Sequence, residues 1–231
     1  MHPRSGAALL FDIDGTLADT DPLHLEAFNR TFEPYGHHFD KARFALELQG
    51  KANEAIARRF VPDLSPEQQM AVMAGKEQLF RDLAGTEIHA VPGLFELLDL
   101  ADASGLPMAA VTNAPRANAS LILDGLCIRD RFRALVIGDE LAHGKPHPLP
   151  YLEGLRLLGA DAGLSVAFED SRTGIASATG AGLRTIGIRT SLAHPDMIAA
   201  GASMSADRYD DEALLRFIAA IVERLEVVAS S

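Results

Sequence analysis

The sequence predicts an α/β fold: an open parallel sheet covered by helices on both faces, with an all-helical segment inserted after the first strand. Three observations carry this. Five short apolar runs are continuous rather than alternating, as strands buried on both faces require. Segments of helical period separate them, the alternation expected of an α/β domain. Between residues 20 and 88 that alternation stops, and only amphipathic helices can be read.

In chain order, "AALLF" (7–11) is the first strand and runs into "DIDGT", which holds Asp12 and Asp14. Leu25, Phe28 and Phe32 then form one apolar stripe, and Ile56 and Phe60 a shorter one on a helix over 54–60. "SPEQQ" opens another helix at Ser65: serine can cap, Pro66 suits the first turn, and Gln68 completes a capping box. Leu94, Leu97, Leu98 and Ala101 fall at i, i+3, i+4 and i+7, so one face of that segment is apolar. "PMAAV" (107–111), "ALVIG" (134–138), "VAF" (166–168) and "RTIGI" (184–188) are the remaining strands, and Leu214, Ile218, Ile221 and Leu225 make a last helical stripe. The strandless interval is expected to be a second small domain, residues 20–88, set into a core built from 1–19 and 89–231.

Lysine and arginine number 21 against 32 aspartates and glutamates, a net charge of -11. Nucleic acid and anionic membrane both need a basic footprint, so neither is an expected partner. A phosphorylated ligand would meet the same repulsion unless a bound cation or local lysines reversed the sign at the site. The single cysteine, Cys127, cannot form an internal disulfide and is expected as a small core thiol in an apolar helical stretch. "MHPRSGAALLF" has no long apolar region of the kind a secretory leader carries, and no segment has the roughly twenty apolar residues of a membrane span. The expected setting is the cytoplasm, as a monomer or weak dimer.

Four of the apolar runs lead into polar residues with chemical potential. The first gives Asp12 and Asp14, the second Thr112 and Asn113, the third Lys145 through "GDELAHGKP", and the fourth Glu169 and Asp170. Ligands of open parallel sheets bind beyond the carboxyl ends of the strands, where strand order reverses. Each residue alone has an ordinary structural reading. A lone aspartate after a strand forms turns, Thr112 could cap a helix beginning near Arg116, and Glu169 or Asp170 could cap one from Thr173. Independent caps need not supply complementary chemistry, and these do.

Competing motifs fail on physical grounds. A calcium loop starting at Asp12 would need a bidentate glutamate at its twelfth position, where Leu23 stands. "GDELAHGKP" has Pro146 where a phosphate-binding loop places its magnesium-binding hydroxyl. "GAGLRT" (180–185) precedes a strand rather than following one, the wrong order for a dinucleotide fingerprint.

At these residues the chain resembles the haloacid dehalogenase superfamily, in its phosphatase-like and β-phosphoglucomutase-like members with a small helical cap. "DIDGT" resembles the first motif, "VTNA" the second, "GKP" the third and "EDSRTG", with Gly174, the fourth. The resemblance implies a Rossmann-like core, a cap over 20–88, a magnesium ion and an aspartyl-phosphate intermediate. It makes Asp12 the nucleophile and Asp14 the general acid and base. Asp12, the backbone carbonyl of Asp14 and Asp170 would hold magnesium, with Glu169 behind them orienting water or Lys145. The Thr112 hydroxyl, the Asn113 amide and Lys145 would bind the phosphoryl group. Asp14 should hold its proton for an alkoxide leaving group, which a departing halide would not need, so the resemblance implies a small phosphomonoester as substrate.

His24, Gln49, Gly50, Lys51, Asn53 and Arg116 are further candidates for contacts with substrate. "ADTDPLHLEAF" resembles the mutase cap, with His24 in the matching place, but "LQGKANEA" puts Asn53 where the mutase pattern has an arginine for a second phosphate. A hydrolase is therefore the expectation, a mutase the alternative, and a non-catalytic phospholigand-binding protein a remote third reading. Which phosphomonoester is hydrolysed depends on cap geometry, and phosphoglycolate and sugar phosphates all stay open.

Overall fold

The protein is described by a computed structural model covering residues 6–85 and 88–229. Residues 1–5 of the stretch read for a leader lie outside it, as do Thr86 and Glu87 near the expected boundary at 88.

Six parallel strands form one sheet, ordered β3-β2-β1-β4-β5-β6: β1 (Leu9–Phe11), β2 (Met108–Thr112), β3 (Ala134–Ile137), β4 (Val166–Glu169), β5 (Arg184–Ile188) and β6 (Met204–Ala206). The chain winds outward from β1 in both directions, so the order reverses beside β1. The first five strands fall on the five apolar runs. β6 has no such run; its three residues are placed by pairing, Ile186 against Met204 and Ile188 against Ala206.

The continuous apolar runs have a direct cause. Leu9 and Phe11 bury into one side of the sheet with Met108, Ala110, Val166 and Phe168. Leu10 buries into the other with Ala109, Val111 and Ala167. Side chains alternate across a strand, so two covered faces leave no polar position. The first face is packed by α5 (Leu94–Ala103), α6 (Arg116–Gly125) and α10 (Glu212–Ala229). The second is packed by α7 (Leu149–Leu158) and α8 (Arg172–Gly180). In α10, Leu214 and Ile218 are buried and Ile221 packs partly; the side chain of Leu225 lies outside the described set. A short α9 (His194–Ala200), not anticipated, buries Met197 at the sheet edge.

The helical insertion comprises α1 (Asp21–Phe32), α2 (Lys41–Glu47), α3 (Asn53–Phe60) and α4 (Pro66–Ala84). It has an apolar core of its own, with Phe28, Phe32, Phe39, Phe44, Ile56, Phe60 and Met73. Phe39 and Phe60 meet edge to face at 5.1 Å, a geometry that adds about 0.5–1.5 kcal/mol beyond area burial. Helix α2 was not anticipated; Asp40 caps it by accepting from Arg43 N–H. The capping box at Ser65 and Gln68 is present on α4. The incoming and outgoing segments pair side by side, Val91 N–H donating to Leu17 O (3.0 Å) and Asp19 N–H to His89 O (3.3 Å).

Cys127 departs from expectation: it is exposed. Helix α6 ends in a Schellman motif, with Cys127 N–H on Asp124 O and Ile128 N–H on Leu123 O, and Cys127 takes the left-handed position at φ 56°. The turn, which the local apolar composition did not signal, rotates its thiol outward while Ile128 stays buried. Among the described residues no helix is long and apolar enough to cross a membrane.

Candidate active site

Strand order brings the site together. β1, β2 and β4 are neighbours, so the residues after Phe11, at the end of β2 and at the end of β4 converge on one edge. Asp12 N–H continues the ladder onto Phe168 O at 3.0 Å, fixing the direction in which the loop leaves. Gly15, at φ 74°, turns that loop back; a Cβ there would overlap the Asp170 carboxylate. Thr190 holds the turn by donating to Gly15 O at 2.6 Å.

Lys145 is the hub. Its buried ammonium donates to Asp12 Oδ1 (2.6 Å), Glu169 Oε1 (2.6 Å) and Val111 O (2.8 Å). Its main chain is clamped by Asn113, whose Nδ2 donates to Lys145 O (3.0 Å) and whose Oδ1 accepts from Lys145 N–H (2.9 Å). Glu169 also accepts from the Tyr151 hydroxyl at 2.7 Å, and Gly174 leaves the space its carboxylate fills. Neither Glu169 nor Asp170 caps α8; Ser171 does, accepting from Gly174 N–H at 3.0 Å. Thr112 does not cap α6 either. Its hydroxyl accepts from Ala114 N–H at 2.9 Å, which leaves its own proton to donate into the cavity.

Ligand oxygens of Asp12, Glu169 and Asp170 all lie within 4.8 Å of one another, and all three residues are buried. Lys145 is the one ammonium in hydrogen-bond contact with this group among the described residues. Burial, against the pull of Lys145 and with Glu169 adding to it, raises Asp12 to about 8. Burial, then the charges of Asp12 and Asp21, lift Asp170 well above the ordinary carboxylate range. Lys145 is pushed the other way: burial opposes its charge, but Asp12 and Glu169 more than offset it and hold it above the ordinary lysine range. Three carboxyls against one ammonium leave a deficit of positive charge, which protons or a hard divalent cation can fill. The donor set, the buried carboxylate oxygens of Asp12, Glu169 and Asp170, fits such a cation.

Asp14 faces away from that group, toward the insertion. Its Oδ1 accepts from Thr20 (2.8 Å) and from His24 Nε2 (3.0 Å). Burial would raise its pKa, but the His24 and Thr20 hydrogen bonds and the nearby Lys76 charge bring it below the usual value. That direction runs against the expectation that Asp14 holds its proton. His24 stacks on Phe80 at 3.8 Å, and its Nδ1 lies 2.9 Å from Lys76 Nζ. An ammonium at Lys76 is only a donor, which places the His24 proton on Nε2, aimed at Asp14. Lys76, buried and lowered by that burial, pairs with Glu77 Oε1 at 3.1 Å.

Of the remaining candidates, Gln49, Gly50, Lys51 and Asn53 line the same cavity, about 100 Å³ in volume, with Asp12, Asp14 and Thr112. Gln49 Nε2 donates to Asp170 Oδ2 (2.8 Å) and Asp21 Oδ2 (3.1 Å), tying the insertion to the acidic group. Gly50 O accepts from Thr173 (3.1 Å), Lys51 Nζ donates to Leu46 O (3.0 Å), and Asn53 Nδ2 donates to Glu77 Oε1 (2.9 Å). Arg116 is not brought in: both its ends are taken by Glu140, at 2.7 and 2.6 Å, on the surface.

Sequence reasoning missed several participants. Tyr151, Thr20 and Ser171 were each legible in principle, Ser171 as a serine three residues before Gly174 at a helix start. Ser191, whose hydroxyl lies within hydrogen-bond reach of both Asp21 and Asp170, carries no local signal, being 170 residues from one partner.

Comparison with known proteins identifies the family. Residues 9–188 match the family profile described as haloacid dehalogenase-like hydrolase. Protein CbbY of Rhodobacter capsulatus is 36% identical over 189 residues, covering 78% of this chain and 83% of that protein. The phosphorylated carbohydrates phosphatase of Thermotoga maritima is 31% identical, covering 78% and 83%. The crystal structure of CbbY from Rhodobacter sphaeroides in complex with phosphate superposes with a TM-score of 0.78 at 30% identity, over 88% of this chain and 95% of that one.

Proposed function

The chain belongs to the haloacid dehalogenase-like hydrolase family, and from that premise we propose that it is a magnesium-dependent phosphatase of a small phosphorylated sugar or similar phosphomonoester, working in the cytoplasm. The observation that carries the reading is the junction of Asp12, Lys145 and Asp170 with Asp14 in one small cavity. Relatives named as a phosphorylated carbohydrates phosphatase and as a fructose-1-phosphate phosphatase of Escherichia coli support the substrate class.

Asp12 attacks phosphorus, forming the acyl phosphate as the ester P–O bond breaks. Splitting the displacement in two lowers each barrier. Asp12, Asp170 and the Asp14 carbonyl would hold magnesium, which supplies charge to the transferring oxygens. Lys145 holds the Asp12 carboxylate in place and neutralises charge beside it, and Glu169 with Tyr151 holds Lys145. The Thr112 hydroxyl and the Asn113 backbone N–H bind phosphoryl oxygens, since the Asn113 side chain is committed to Lys145.

Asp14 protonates the leaving alkoxide and then takes a proton from the attacking water. An incoming phosphate dianion raises its proton affinity from the depressed ligand-free value. The inserted helices act as a cap that brings Gln49, Gly50 and Lys51 to the cavity, with the Asn53 side chain held by Glu77.

Asn53 and Arg116 disfavour the mutase reading. A bisphosphate must be gripped at both ends, yet Asn53 is bound to Glu77 and Arg116 to Glu140. The test is phosphate release from a panel of metabolite phosphates, with magnesium and with chelator. Release only with magnesium, and not from Asp12→Asn, is the expected result; isomerised product in place of inorganic phosphate would favour the mutase.

A further inference from the structure

We propose that Asn118 is a positioning residue: it clamps α4 of the insertion onto core helix α6 and thereby fixes the side chains that orient Asp14. Its kinetic consequence rests on the phosphatase reading above; the clamp itself does not.

Asn118 sits in the first turn of α6 and is fully buried, beside the buried apolar residues Ala119, Ile122 and Leu123. A buried amide must satisfy both its donor and its acceptor. Both go to α4. Asn118 Nδ2 donates to Glu77 Oε2 at 2.6 Å, and Asn118 Oδ1 accepts from Arg81 Nη1 at 2.7 Å. Glu77 and Arg81 are four residues apart, so they lie on one face of α4, one turn apart. One contact would leave a pivot; two set the position of α4 along α6.

The clamp continues into the cavity. Glu77 Oε1 accepts from Asn53 (2.9 Å) and Lys76 (3.1 Å), Lys76 Nζ reaches His24 Nδ1 (2.9 Å), and His24 Nε2 reaches Asp14 Oδ1 (3.0 Å). Burial works to raise Glu77, yet the Lys76 charge and the hydrogen bonds from Asn53 and Lys76 hold it below the usual range, so it meets Asn118 as a carboxylate. Movement of α4 away from α6 would shift Lys76 and His24 together, because α1 and α4 pack on one another. Asn118 touches no reacting atom. It acts through where it holds α4.

The polarity of the clamp makes it testable. Asn118→Asp sets a carboxylate against Glu77 but can still accept from Arg81. Adding Glu77→Gln restores a donor facing residue 118 and keeps an acceptor for Asn53 and Lys76. Kinetics on one alkyl and one aryl phosphate, melting temperature, and hydrogen exchange of α4 amides are measured for wild type, both single variants and the double. Asn118→Asp is expected to lose about 10²-fold in kcat/KM on the alkyl phosphate, the scale of a misplaced catalytic group, and less on the aryl phosphate. Its α4 amides should exchange faster while those of β1 and β4 do not change, and the double variant should recover about tenfold or more of the lost rate together with the α4 protection. Unchanged kinetics and exchange in Asn118→Asp, equal losses on both substrates, or a double variant no better than Asn118→Asp would overturn the proposal. If wild type releases no phosphate, the phosphatase reading fails on its own, and the exchange comparison still decides the clamp. Should Asn118→Asp not fold, recovery of folding on adding Glu77→Gln supports the clamp; without that recovery Asn118→Ser is read in the same assays, and wild-type α4 exchange in it overturns the clamp.

Discussion

The Lys145 ammonium lies 2.6 Å from Asp12 Oδ1, joining two residues 133 positions apart. The contact is buried, and the same ammonium reaches Glu169 at an equal distance. One cation thus organises the ends of β1 and β4, and the charge it leaves unbalanced defines what else the site must take up.

Asp12→Asn removes the proposed nucleophile while leaving an isosteric group beside Lys145. Turnover should fall to background with the melting temperature close to wild type. Steady phosphate release from a purified, sequence-verified Asp12→Asn sample would assign the attack to another residue.

Asp14→Asn cannot donate a proton to the leaving oxygen. The rate on alkyl phosphates should drop by about 10²–10⁴-fold, the range for a lost general acid, and by far less on aryl phosphates, whose leaving groups need little protonation. Parallel rate measurements on the two substrate types check this; equal drops would remove Asp14 from the acid role.

Magnesium and pH should act together on stability. In the metal-free fold Asp12 titrates at about 8 and Asp170 well above its usual value, whereas in the unfolded chain both titrate near about 4. Between those limits the folded state binds more protons than the unfolded one, so metal-free stability falls as pH rises from about 4 through about 8. Magnesium, held there as proposed, would take the place of those protons. The rise in melting temperature on adding magnesium should therefore be larger at pH 8 than at pH 6, and scanning calorimetry would detect a reversal.

Tyr151→Phe deletes the hydroxyl that donates to Glu169 at 2.7 Å. Loss of a buried hydrogen bond to a charged group costs about 1.5–3 kcal/mol, and denaturant unfolding should register a change of that size. Because Glu169 orients Lys145, kcat should fall more than KM rises. A variant as stable and as active as wild type would show that Glu169 needs no such support.

The sequence by itself determined five of the described strands, the all-helical character of the insertion with its helices α1, α3 and α4, and the identities of the core motif residues. Those are local signals: runs such as "AALLF" report two covered faces, and Ser65 with Gln68 reports a helix start. β6 was decided only by tertiary structure, because "MSA" becomes a strand through pairing with β5 rather than through its composition. The outward turn of Cys127, the capture of Arg116 by Glu140, the depressed Asp14 and the hold of Asn118 on α4 were decided in the same way. Each depends on which residues distant in the chain become neighbours, and on what charge they carry once water is excluded. Residue spacing encodes periodicity, but a hydrogen bond between α4 and α6 exists only after the chain has folded.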